Sequence, residues 1–165
     1  MRKSVSNPEI DSNLAAKYPL TFLVAEDNKI NRKLLVSMLA KFGYRNIFEA
    51  HDGAEAVRQM SLPRAHHDKI DVVLMDLWMP LMDGYEATER ILNMHRANNG
   101  VNGGMNGASS HGPTVLAVTA DVTDGALDRA ARVGMKGFMT KPYKLMDLQR
   151  LITEYCARNK AEAAM

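Results

Sequence analysis

Four short runs, each apolar along almost its whole length and each ending in a polar or charged residue, leave this chain few folds to choose from. LTFLVA ends at Glu26-Asp27, IDVVLM at Asp76, TVLAV at Thr119 and GFMT at Lys141-Pro142. Between them the pattern changes to a helical period. Ile30, Leu34, Met38, Leu39 and Phe42 fall on one helical face, with Gly43 supplying the stop. RNIFE (45–49) adds a short strand, and Asp52 followed by Glu55 has the form of a capping box opening a helix over about 53–60. Further helices are expected near 84–95, 122–132 and 144–158, the last with Leu145, Leu148, Leu151, Ile152 and Tyr155 inward. Five strands alternating with five helices predict an α/β domain, a doubly wound five-stranded parallel sheet with right-handed crossovers and helices on both faces.

The segments outside that alternation are polar. Residues 1–18 are expected to be a flexible arm or incoming linker, 19–158 the folded domain and 159–165 a tail. Within the domain, residues 96–112 carry five glycines and four asparagines and almost nothing apolar. Such a composition buries too little to offset its ordering entropy, so a flexible insert is predicted there. A net charge of +2 across 165 residues, without a dense basic run, argues against nucleic acid or a membrane surface as partner. Cys156 is the only cysteine, which excludes a disulfide framework and a Cys-based metal site and suits a reducing compartment, cytoplasmic or nuclear. No stretch approaches membrane-spanning length. A monomer is expected.

The polar groups that end the runs would gather at the carboxyl edge of such a sheet, where open α/β sheets bind ligands. Adjacent Glu26 and Asp27 repel each other, and Asp76 adds to the conflict, so without a cation at least one carboxyl should hold its proton more tightly. A hard divalent ion removes the conflict; Mg²⁺ suits few carboxylates, several waters and a phosphate oxygen. The plain alternative is that Glu26-Asp27 only favours the amino end of the following helix. The segment Asp76-Leu-Trp-Met-Pro80-Leu-Met-Asp-Gly84 adds a carboxylate already fit to attack an activated phosphoryl group. Lys141 and the Thr119 hydroxyl would then meet the charge on its equatorial oxygens. His66 and His67 are adjacent in a loop with no second ligand pair, and read as surface.

The segments LVAEDNKINRKLL, DVVLMDLWMPLMDGYEA, VLAVTADV and GMKGFMTKPY resemble the receiver domain of two-component response regulators and hybrid histidine kinases. The likeness covers about 20–157 and is nearest to receivers at the carboxyl ends of fungal hybrid kinases. It implies the flavodoxin-like strand order 2-1-3-4-5. It also implies a phosphorelay function, in which Asp76 accepts a phosphoryl group from a phosphohistidine in a Mg²⁺-dependent reaction. Glu26, Asp27, Asp76 and the Trp78 backbone carbonyl would hold the metal, Lys141 would contact the phosphoryl group, and Thr119 and Phe138 would form the switch. The implied partner is a histidine-containing phosphotransfer protein or a histidine kinase, docking on Asn28, Asn31 and the Pro142-Tyr143 turn. The implied catalysis is limited to the domain's own phosphorylation and dephosphorylation, with kinase activity only within a longer hybrid kinase.

Two features depart from the family pattern: the Gly/Asn-rich insert, and a Phe at 138 that lacks the hydroxyl many members carry. Neither removes a chemical group from the cluster. A phosphohydrolase using an aspartyl phosphate would want a second Asp two residues after Asp76, where Trp78 stands. An inactive receiver would lack Asp27, Asp76 or Lys141, and a dinucleotide site would need the Gly-rich loop that AEDNKIN does not provide. Trp78 itself is expected to stand exposed beside the acceptor, as aromatic anchors at interfaces do.

Overall fold

The computed structural model describes residues 9–101 and 112–163. Five parallel strands, β1 (Phe22–Ala25), β2 (Ile47–Ala50), β3 (Val72–Asp76), β4 (Thr114–Thr119) and β5 (Gly137–Thr140), form one sheet in the order β2-β1-β3-β4-β5. The expected strand order is therefore the observed one. Around it lie α1 (Leu14–Lys17), α2 (Lys29–Lys41), α3 (Gly53–Ser61), α4 (Gly84–Val101), α5 (Asp124–Val133) and α6 (Leu145–Ala163). That makes six helices among the described residues where five were expected, plus one 3₁₀ turn at His66–Asp68.

Side chains alternate across the sheet and fill two separate cores. Phe22, Val24, Val72, Leu74, Leu116 and Val118 face one side, packed with Leu35, Met38 and Leu39 of α2 and with Leu148 and Ile152 of α6. Leu23, Ala25, Val73, Met75, Val115 and Ala117 face the other, with Ala56 of α3, Ala87 and Ile91 of α4 and Ala130 of α5. Because both faces are covered, every residue of β1, β3 and β4 is buried, which is why those strands read as unbroken apolar runs.

Local chemistry sets the helix ends that matter for the site. The Asn28 side chain accepts a hydrogen bond from the Asn31 N–H at 3.0 Å and starts α2. Asp52 accepts from the Glu55 N–H at 2.7 Å, while Glu55 returns the bond to the His51 N–H at 3.0 Å, one residue before the usual partner. Thr123 caps α5, which ends at Gly134 with φ 109°, a left-handed conformation that favours glycine.

Three expectations are corrected. The inward face of α2 consists of Leu35, Met38 and Leu39, with buried Phe42 just past its end; Ile30 is 80% exposed and Leu34 44%. Adjacent Leu34 and Leu35 lie about 100° apart on a helix, so periodicity alone allows either to point in. Residues 9–18 are not a loose arm. Leu14 is buried in the α2–α6 core, the Ala15 N–H donates to the Phe42 carbonyl at 3.0 Å, and the Asp11 N–H donates to Gln149 Oε1 of α6 at 2.7 Å. Residues 1–8 lie outside the described residues. Residues 96–101 of the expected insert continue α4, and 159–163 of the expected tail continue α6, while 102–111 and 164–165 lie outside the described residues. No described helix is long and apolar enough to cross a membrane.

The docking of residues 9–18 yields a measurable cost. Leu14→Ala empties a filled core position and should lower unfolding free energy by about 2–5 kcal/mol. Urea denaturation reads this directly; a variant indistinguishable from wild type would restore the loose-arm reading.

Candidate functional site

All four polar run-ends meet at the carboxyl edge of the sheet. Glu26 directly follows β1, and its N–H donates to the Ala50 carbonyl at 3.0 Å, which extends the ladder by one bond. That bond pins the Glu26 backbone to the sheet, and its carboxylate is wholly buried. Asp27 turns outward and is exposed, whereas Asp76, the last residue of β3, is 3% exposed. One carboxylate oxygen from each of the three lies within 4.8 Å of the other two.

Lys141 reaches this cluster from the end of β5. Its Nζ stands 3.0 Å from Asp76 Oδ2 and 3.1 Å from Glu26 Oε2, so one ammonium bridges two buried carboxylates. The Lys141 backbone is fixed by its own N–H donating to the Thr119 carbonyl at 2.9 Å, and the Lys141-Pro142 peptide is cis. Beyond it, the Tyr143 hydroxyl donates to Glu26 Oε2 at 3.2 Å.

The loop after β3 wraps the Asp76 carboxylate. The Trp78 N–H approaches Asp76 Oδ1 at 3.4 Å, and the Gly84 N–H donates to the Leu77 carbonyl at 2.9 Å. A Cβ at Gly84 would stand 2.1 Å from the Asp76 carbonyl oxygen, so only glycine allows α4 to start against the Asp76 backbone. Between them, the Met82 N–H donates to the Pro80 carbonyl at 2.8 Å and closes a tight turn on Leu81, whose φ is 68° and whose side chain is 91% exposed.

Thr119 is wholly buried, and its hydroxyl oxygen accepts from the Asp121 N–H at 3.0 Å. Asp121 accepts in turn from the Thr123 hydroxyl at 2.8 Å and from Trp78 Nε1 at 3.3 Å. The Trp78 indole therefore links the loops after β3 and β4. It is 53% exposed beside Asp76, with its ring edge-on to Tyr85 at 5.8 Å. Phe138 is 48% exposed on β5.

The electrostatics follow from burial. Desolvation first, and the adjoining Glu26 second, push the Asp76 carboxyl up to about 7 against the pull of Lys141. For Lys141 burial works against the charge, but Asp76 and Glu26 outweigh it and raise the ammonium above its ordinary value. Burial and the same carboxylates also raise the Tyr143 phenol. A pocket with three carboxylates, one of them reluctant to give up its proton, and one ammonium has the donor set a hard divalent cation requires.

Of the residues singled out in the sequence, Glu26, Asp27, Asp76, Trp78, Thr119 and Lys141 thus share one edge. Asn28 caps α2, Asn31 is half-buried and Pro142 exposed. Tyr143, expected only as part of a docking turn, is half-buried and sends its hydroxyl into the acidic cluster. Sequence reasoning named Gly84 only within the segment after Asp76, passed over Asp121 and gave Tyr143 no part in the cluster. Tyr143 and Asp121 lie in the loops past β5 and β4, where strand periodicity no longer applies, so no pattern along the chain marked them.

The description "Response regulator receiver domain" matches residues 22–153. Histidine protein kinase 1 of Candida albicans is 34% identical over 143 residues, which is 87% of this chain and 5% of that protein. The chain thus spans a small part of the length of that curated relative. Among solved structures, the receiver domain of Saccharomyces cerevisiae Ssk1, in complex with the histidine phosphotransfer signaling protein Ypd1, matches with TM-score 0.70 at 29% identity over 82% of this chain and 87% of that one. The receiver domain of the Pseudomonas aeruginosa sensor histidine kinase PA1611, with magnesium coordinated in its active site cleft, matches with TM-score 0.62 at 32% identity over 82% and 95%.

Because Asp76 holds its proton to about 7 in the fold against 3.8 ordinarily, its contribution to stability is present below 3.8 and lost as pH rises through about 7. In EDTA, wild type should therefore lose several degrees of melting temperature between pH 6 and pH 8 relative to Asp76→Asn, and Mg²⁺ should close the gap. Parallel pH profiles for the two proteins in EDTA would remove the electrostatic conflict from the account.

Proposed function

This chain belongs to the response regulator receiver domain family, and from that premise we propose that it is a phosphorelay receiver whose Asp76 accepts a phosphoryl group from a phosphohistidine. The observation that carries the reading is the bridge from Lys141 to Asp76 and Glu26, one ammonium between two buried carboxylates at the edge of a parallel sheet. Glu26, Asp27, Asp76 and the Trp78 carbonyl are the groups that would hold Mg²⁺. Bound there, the ion relieves carboxylate repulsion and offsets charge on the phosphoryl oxygens.

The remaining work falls to the chain itself. An Asp76 carboxylate oxygen forms the new P–O bond as the P–N bond to the donor imidazole breaks, and the departing nitrogen takes a proton from solvent. No separate base is required, because with a cation in the cluster the Asp76 carboxyl would be ionised and is itself the nucleophile. Lys141, already 3.0 Å from Asp76, shifts its ammonium toward a phosphoryl oxygen, and the Thr119 hydroxyl donates to another. Phe138, exposed on β5 and without a hydroxyl, follows Thr119 by packing alone.

The partner proposed is a histidine-containing phosphotransfer protein. The first turns of α2 offer it Ile30, 80% exposed, and Leu34, 44% exposed, with Asn28, Asn31 and Pro142 around them. A small apolar contact with a polar rim suits a complex that forms and parts at each transfer. The lone cysteine fits a reducing compartment, and the cytoplasm, or the nucleus, is the proposed setting.

Incubation with acetyl phosphate and Mg²⁺ should add one phosphoryl group by intact mass, and none to Asp76→Asn or in excess EDTA. Labelling that persists in either case would sink the assignment. For the partner face, Ile30→Arg with Leu34→Arg should slow transfer from a phosphorylated histidine phosphotransfer protein at least ten-fold while acetyl phosphate labelling is unchanged. Equal loss with both donors would assign these residues to the chemistry or to folding.

A further inference from the structure

The geometry points to Tyr143 as a positioning residue for Glu26, a role that rests on the receiver reading above and adds a group to its machinery. Glu26 is 0% exposed and therefore depends wholly on protein donors. Its carboxylate accepts from the Asn28 N–H at 3.3 Å, from Lys141 Nζ at 3.1 and 3.3 Å, and from the Tyr143 hydroxyl at 3.2 Å. These are not equivalent. Lys141 is shared, because the same Nζ stands 3.0 Å from Asp76. When Lys141 turns to a phosphoryl oxygen, Glu26 loses its one charged donor. The long backbone bond from Asn28 and the Tyr143 hydroxyl remain.

Tyr143 is built to stay. Its ring packs against the core cluster that contains Phe22, Leu148 and Ile152, and Lys144 and Leu145 lead directly into α6. Its phenol is neutral, so it does not compete with a cation as the Lys141 ammonium does. A carboxylate that ligates a metal is ordinarily held by its own hydrogen bonds, which fix its plane before the ion arrives. Tyr143 supplies that bond from β5's end to a carboxylate at β1's end, 117 residues away in sequence. It thus keeps Glu26 oriented for the cation while Lys141 is free to leave.

The full chain should be titrated with Mg²⁺ by calorimetry and by the fluorescence of Trp78, its only tryptophan, which neighbours Asp76. Asp27→Asn identifies the signal as coming from this site. Tyr143→Phe keeps the packed ring and removes only the hydroxyl. Its Mg²⁺ affinity should fall about ten-fold, while its melting temperature in EDTA stays close to that of wild type. Tyr143→Leu should lose both affinity and stability. Wild-type affinity in Tyr143→Phe overturns the positioning role, and so does a lower melting temperature in EDTA with affinity intact, which would mark the bond as structural. A wild type with no saturable Mg²⁺ response overturns the role together with the receiver reading beneath it, and so separates that failure from the other two.

Discussion

The structure turns on one unfavourable fact: Glu26 and Asp76 are both buried, side by side, with a single ammonium between them. Removing carboxylates from water is costly unless they are paired and hydrogen-bonded, and Lys141 can satisfy only part of that requirement for two acids. The parallel sheet is what makes the arrangement attainable. Strand ends from residues 26, 76, 119 and 141 reach one edge only because β1, β3, β4 and β5 run side by side in the same direction. The residual conflict appears where it is expected, as an acceptor carboxyl that holds its proton to about 7. A chain selected for stability alone would hardly keep two acids and one base there. Such disagreements between local cost and fold are what a working site leaves behind.

Lys141 has accordingly a larger part than its position suggests. A lysine before proline at a strand end reads as a turn residue of little consequence to folding. Here its side chain is 23% exposed and paired with two carboxylates, while its backbone N–H ties β5 to β4 through Thr119. Removing one partner from a buried ion pair costs about 3–5 kcal/mol when the other charge has no escape. Asp76 has an escape, because it can take up a proton near neutral pH. The loss of Lys141 is therefore buffered by the acceptor's own titration, at the expense of its nucleophilicity.

The strands and their convergence were legible because burial on both faces writes itself as unbroken apolar runs, and the polar residues that stop those runs mark the edge. What escaped was whatever depends on rotation about an axis or on contacts distant in sequence. Leu34 and Leu35 are equally apolar, and the choice between them follows from where Asn28 caps the helix, a matter of one residue. Leu14 is one apolar residue in a polar stretch, so no periodicity announces it; its burial depends on α2 and α6 leaving a place for it. The extension of α4 to Val101 had the same cause, since Gly and Asn weaken a helix by amounts that neighbouring turns can overcome.

The same distinction explains why the convergence of the polar run-ends was legible while the bonds that support them were not. Glu26, Asp27, Asp76, Thr119 and Lys141 are dictated by charge and strand position, both visible along the chain. Tyr143 and Asp121 act through a hydroxyl and a carboxylate that become meaningful only once two loops face each other. Trp78 shows how far this reaches. Its backbone N–H attends Asp76, its indole N–H attends Asp121, and Asp121 in turn donates its own N–H to Thr119. The Asp76 carboxylate and the Thr119 hydroxyl are thus joined by a short run of hydrogen bonds in addition to the sheet. The sheet edge that gathers the three carboxylates and Lys141 therefore also ties the loops after β3 and β4 to one another.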